Sequence, residues 1–145
     1  MRKFLILLTV LSAMLLSACS LFEQADQSLK YADQATDHIT ILTDFAEQAP
    51  QMIKDAAADP DIKQQLEDRF LAIKTEIEQF NLIDAPSLAR DLHEQLLEKN
   101  QVLLQEINRV LADGHLALDQ LQNSPIISTI SDITNLMNRI ENLGL

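Results

Sequence analysis

Residues 59–80 read DPDIKQQLEDRFLAIKTEIEQF, and this stretch decides the fold class. Asp59 is a residue type that caps helix N-termini with its side-chain oxygen. Pro60 suits the first helical position, where its missing N–H costs no hydrogen bond. Ile62, Leu66, Phe70, Ile73, Ile77 and Phe80 then recur at steps of three and four, which puts them on one face of an α-helix predicted to run to Asn81.

The same pattern extends in both directions. Downstream, a break over residues 81–85 leads to Pro86, a predicted helix opener. Leu88, Leu92, Leu96, Leu103, Ile107 and Val110 carry a third helix to about Ala112, where Asp113 and Gly114 supply a stop. A short helical turn is predicted around Leu116–Leu121. Ser124-Pro125 repeats the capped-proline start, and Ile126, Ile130, Ile133, Met137, Ile140 and Leu143 form a last stripe before Gly144. Upstream, Phe22, Ala25, Leu29, Ala32, Ala35, Ile39, Leu42, Ala46 and Ala49 give the first helix its predicted apolar face. Pro50 is expected to interrupt or kink it, with a short helical piece over Gln51–Ala58. Four amphipathic helices with short connections predict an all-α, elongated antiparallel bundle, with an extended coiled coil or intermolecular bundle as the lesser alternative.

Composition narrows the chemistry. The chain has 145 residues, 11 Lys+Arg against 22 Asp+Glu and a formal charge of −11, which disfavours nucleic acid and anionic surfaces as charge-driven partners. Only 2 glycines occur, thirty residues apart, so Gly-rich phosphate loops and nucleophile elbows are excluded. A single cysteine rules out an internal disulfide.

That cysteine sits at a telling place. Arg2 and Lys3 precede an apolar run from Phe4 to Leu16, then Ser17, Ala18 and Cys19, the order of a secretory signal. Leu16-Ser17-Ala18-Cys19 resembles the lipobox of bacterial lipoproteins, which implies cleavage before Cys19 and diacylglycerol on its thiol. The chain then divides into a signal over residues 1–18 and a helical domain over 19–145. Cleavage removes two bases and no acid, leaving 9 against 22 and a charge of −13. Two other readings stay open: a plain signal peptide, or an uncleaved anchor, since Phe4–Phe22 is uncharged over about the length that spans a bilayer.

Candidate chemical sites are few. The histidines are His38, His93 and His115. His93-Glu94 begins a zincin-like motif, but its second histidine would fall at Leu97. His93 therefore reads as a helical, partly exposed residue. Asp59 and Asp61 begin like a calcium loop, yet Lys63 and Gln64 occupy positions needing an oxygen ligand and a glycine. Spread acidic residues read as a solvated face. Asn100 interrupts the third stripe between Leu96 and Leu103; it either fixes helix register from inside or faces solvent, and the register role predicts that Asn100→Leu raises thermal stability and changes oligomeric state. No catalytic, cofactor-binding or metal-binding residue is assigned, and no enzyme is expected.

The segments SLFEQADQSLKYADQATDHI, FAEQAP, IEQFNLIDAPSLARDLHEQL and ITNLMNRIENLGL resemble a family of small uncharacterised lipoproteins of Gram-positive, spore-forming bacteria. Ala85-Pro86 departs from that family, where a double proline is expected. The resemblance implies a helical extracytoplasmic lipoprotein and supplies no catalytic residues. The expected function is therefore a module held at the cell membrane by lipid on Cys19, acting as an interaction or structural element with an envelope protein partner. The alternative is a lipoprotein holding a small ligand between helices. Oligomeric state is left open.

Overall fold

The computed structural model describes the backbone of residues 2–112 and 115–144, and the side chains of residues 25–111 and 115–143. The chain is all-α. Helix α1 (Arg2–Ala56) is followed by α2 (Pro60–Phe80) and α3 (Arg90–Val110). A minimal antiparallel hairpin of β1 (Leu111–Ala112) and β2 (His115–Leu116) comes next, then α4 (Leu118–Leu121), α5 (Ile126–Thr134), α6 (Met137–Glu141) and a closing 3₁₀ turn over Asn142–Gly144.

Antiparallel neighbours are pinned by cross-helix contacts. Arg69 on α2 donates to Gln48 on α1 at 2.6 Å, and Lys74 on α2 donates to Asn108 on α3 at 2.8 Å. Lys99 on α3 meets Asp132 on α5 at 2.8 Å, and the hydroxyls of Thr43 and Thr134 tie α1 to α5 at 2.9 Å. The helices thus follow one another around the bundle, with α1 and α3 on one diagonal.

Each helix buries a seam spaced alternately three and four residues apart, the geometry of ridges that interlock along nearly aligned helices. On α2 the seam is Leu66, Phe70, Ile73, Ile77 and Phe80; on α3 it is Leu96, Asn100, Leu103, Ile107 and Val110; on α5 it is Ile126, Ile130 and Ile133, which Ile140 of α6 extends. On α1 the seam runs Ser28, Tyr31, Ala35, His38, Leu42, Phe45 and Ala49. This corrects the expected stripe at its start. Leu29 is 48% exposed, while Tyr31 and His38 are buried, because their polar atoms find partners across the core.

The Asp59-Pro60 start holds: the Asp59 carboxylate accepts from the backbone N–H of Asp61 at 2.9 Å and of Ile62 at 3.4 Å, satisfying donors that a helix start leaves free. At the other proline starts the structure differs. Pro50 lies inside α1, which continues to Ala56. Pro50 is on the exposed face. Met52, Ile53 and Ala56 keep packing on the core beyond it. Pro86 opens a turn, closed by Ala89 N–H donating to its carbonyl at 2.9 Å, and α3 begins only at Arg90. Leu88 is consequently 67% exposed and outside the core. Pro125 and not Ser124 is the N-cap of α5, although Ser124 Oγ still accepts from Ile126 N–H at 3.2 Å. The last segment is broken at Asn135–Leu136, where the chain tightens into i→i−3 bonding before α6. The hairpin after Val110 replaces the final helical turn expected near Ala112; Asp113 and Gly114, read as the helix stop, lie outside the described residues.

Candidate functional site

The only cluster of polar side chains threaded through the core among the described residues lies at the α1 N-terminal half of the bundle. It is built around Phe80, the last residue of α2. The His38 ring stacks on Phe80 with centroids 4.1 Å apart and planes 11° off parallel, and His93 packs at 5.8 Å. Tyr31 adds an edge-on contact to His93 at 5.5 Å.

His38, 1% exposed, is held at both ring nitrogens: Nδ1 lies 3.1 Å from Glu76 Oε1, and Nε2 lies 3.2 Å from Asn100 Oδ1. Asn100 in turn donates Nδ2 to Asn81 Oδ1 at 2.9 Å. In this arrangement both nitrogens face acceptors, which suits the imidazolium. Burial pulls the other way and lowers the His38 pKa below its usual 6.5, opposed by the hydrogen bonds from Asn100 and Glu76 and by the Glu76 charge. The two asparagines resolve the conflict. A half-turn of both amides keeps their mutual bond and presents Asn100 Nδ2–H to His38 Nε2, leaving Nδ1–H to donate to Glu76. The network therefore satisfies either protonation state by rotating two amides.

His93 is buried, contrary to the partly exposed position expected from sequence. Burial lowers its pKa, with Asp84 and Glu94 opposing. Its neutral Nδ1 accepts from the Tyr31 hydroxyl at 3.1 Å, and burial raises the Tyr31 pKa to about 12, so that hydroxyl keeps its proton. Both contacts follow from the seam positions of Tyr31 and His38, a placement that hydrophobicity alone hides.

Beside this cluster, α1 and the α2–α3 connection enclose an open groove of about 490 Å³, lined by Gln27, Lys30, Tyr31, Gln34 and the segment Ile83–Pro86. His115 stands apart and exposed, its Nδ1 3.7 Å from Glu67 Oε1. Glu67, buried, accepts from Leu116 N–H at 2.9 Å and so fastens the hairpin to α2. Asp59 and Asp61 belong to the α2 start and not to an ion loop. Cys19 lies within the span of α1, and its side chain is outside the described residues. Among the residues whose side chains are described, 25–111 and 115–143, no helix is long and apolar enough to cross a membrane, and no group of three potential metal ligands occurs.

A seam of alternating three- and four-residue steps on every long helix, with a polar layer crossing it, defines a small antiparallel helical-bundle domain. A family model described as a family of unknown function (DUF6376) matches residues 31–143, from Tyr31 of α1 into the closing 3₁₀ turn, and the chain belongs to this family. The chain is also 32% identical to the uncharacterized lipoprotein YybP of Bacillus subtilis (strain 168), over 96% of its own length and 98% of the relative's. No solved structure matches it.

Proposed function

We propose that the protein is a lipoprotein of the outer face of the cell membrane, anchored through lipid on Cys19, and that its bundle serves as an interaction or structural module of the envelope. The observation that carries the anchor is a lone cysteine set at the end of a basic-then-apolar leader, in a chain whose near full-length relative is named a lipoprotein. Two acyl chains hold a protein stably at a bilayer where one does not, each buried methylene contributing about 0.8 kcal/mol. Tethering confines the search for a partner to the membrane plane and raises its effective concentration. No catalytic role is part of this reading: the ring nitrogens of His38 are taken up by Glu76 and Asn100, and Nδ1 of His93 by Tyr31.

Intact-protein mass spectrometry tests the anchor. Loss of residues 1–18 and a diacylglycerol adduct on Cys19 are expected, with both the adduct and membrane association abolished by Cys19→Ala. A mature chain with unmodified Cys19 refutes the reading. Crosslinking in cells tests the envelope module, and recovery of the monomer alone under all conditions counts against it.

A second reading, a small-ligand carrier, is favoured by the groove over Tyr31. Its volume of about 490 Å³ and a lining that sets Tyr31, Ile83, Ala85 and Pro86 beside Lys30, Asp84 and two glutamine amides suit a small molecule with both an apolar and a cationic face. A co-purified small molecule lost on Gln34→Trp would support it.

A further inference from the structure

Among the described residues, Leu82 and Leu88 are the most exposed large apolar side chains, at 84% and 67%. Both lie in the α2–α3 connection, between Phe80 and Arg90. Leu29 of α1, half-exposed, is at the same level, since Tyr31 two residues on packs against Phe80 two residues before Leu82. The remaining exposed large hydrophobic residues, Ile41, Leu71 and Val102, are scattered singly along the flanks and need no explanation.

This is also the end from which α1 runs back to Cys19. At the helical rise, Leu29 is about 15 Å along the axis from Cys19. The pairs Tyr31–His93 and His38–Asn100, each 62 residues apart, set α3 parallel to α1 in a fixed register. Carried back to Arg90, where α3 begins, that register sets the helix start level with Ser28, about 14 Å along the α1 axis from Cys19, and Leu88 lies in the turn just before it. A lipid-bearing Cys19 sits at headgroup depth, and α3 is on the bundle diagonal from α1, so a lean toward α3 lowers Leu88 and Leu82 into the interface. Charge permits the approach. In a mature chain of −13, Asn81–Arg90 holds one acid, Asp84, and one base, Arg90, and is balanced. Apolar side chains on a loop without net charge enter the headgroup–acyl boundary readily.

We propose that the α2–α3 connection is a second membrane contact, in which Leu82 and Leu88 enter the bilayer interface and fix the tilt of the bundle above its anchor. The inference rests on the reading of Cys19 as the anchor, and the test separates the two. The chain has no tryptophan, so Leu82→Trp installs a single reporter and Leu71→Trp a control on the bundle's flank. The full lipidated protein is reconstituted into vesicles of phosphatidylethanolamine and phosphatidylglycerol, with and without brominated acyl chains. Expected are flotation of both variants with the vesicles, a blue shift for Leu82→Trp, and several-fold stronger quenching of it than of Leu71→Trp. Flotation with equal quenching of the two overturns the loop contact and leaves the anchor standing. Failure to float overturns the anchor reading and this inference with it. A blue shift already present without vesicles, accompanied by a dimer in sedimentation, assigns the leucines to a second copy and also overturns the proposal.

Discussion

Around Phe45 and Phe70 the seams are apolar: the two rings meet edge to face at 4.9 Å, with Leu42, Leu66, Leu103, Ile107, Ile126 and Ile130 at the other buried seam positions and Glu67, Glu106 and Thr129 buried only beside them. Around Phe80, a few turns away along the same seams, the corresponding positions hold Tyr31, His38, His93 and Asn100. The helices keep their spacing through both halves, so the difference lies in chemistry and not in backbone geometry. In the apolar half, cohesion depends on how well shapes fill space. In the polar half it depends on each buried donor finding an acceptor, because an unmade hydrogen bond there costs more than a made one contributes.

The largest effect is expected where only packing acts. Phe70→Ala removes a fully buried ring from the contact with Phe45 and leaves a cavity that the helices cannot fully close. It should destabilise the bundle by about 3–5 kcal/mol in urea unfolding. The loss should be the same at pH 5.5 and pH 8, since the two buried histidines, His38 and His93, lie at the other end of the seams. A strongly pH-dependent loss would show that the two halves do not act separately.

In the polar half, Asn100→Leu is the sharper cut. The residue is fully buried, as the register reading requires, but its partners lie within the chain: His38 on α1 and Asn81 after α2. Leucine adds apolar volume yet strands the His38 Nε2 and the Asn81 amide. The expected gain in thermal stability therefore becomes a loss of about 1–3 kcal/mol, with no change of oligomeric state by sedimentation. A stabilised variant would mean that the amide relay contributes nothing net.

The third effect is a pH slope. Burial lowers the pKa of both His38 and His93 from 6.5. The unfolded chain then binds more protons than the folded one as pH falls below about 6.5, so stability is full above that value and declines toward the folded-state values beneath it. The double variant His38→Leu, His93→Leu should flatten this decline between pH 7 and pH 5 in thermal melts, whatever its effect on absolute stability. An unchanged slope would show that other groups carry it.

The two halves were unequally legible. The apolar half follows from spacing: Asp59-Pro60 and the run from Leu66 to Phe80 announce α2 with local signals alone. The polar half needed partners 62 residues away, so the expected stripe holds Leu29, one position off the seam, and leaves out Tyr31 and His38. Asn100 was the exception, because a polar residue at a seam position is visible as an interruption. Pro50 misled for a different reason. Its local penalty is real, but Ala56 keeps the seam buried beyond it, and burial outweighs one lost hydrogen bond on an exposed face. The hairpin of Leu111–Ala112 with His115–Leu116 has two residues per strand, too few to show any period.

The smallest effect tests whether the surface takes part in either regime. Lys99 bridges Asp132 between α3 and α5 at 2.8 Å, with side chains 41% and 57% exposed. It lies one residue from Asn100, so it shares that layer's geometry without sharing its burial. Solvent screens the attraction, and holding two long side chains together costs rotamer entropy, which leaves an exposed pair about 0–1 kcal/mol. Lys99→Ala should therefore shift urea unfolding by less than about 0.5 kcal/mol, and the shift should vanish in high salt. Because Lys99 and Asn100 are adjacent on α3, the pair of variants isolates burial as the variable. If Lys99→Ala proved as costly as Asn100→Leu, cohesion in this half would come from the α3–α5 contact and not from the relay through His38.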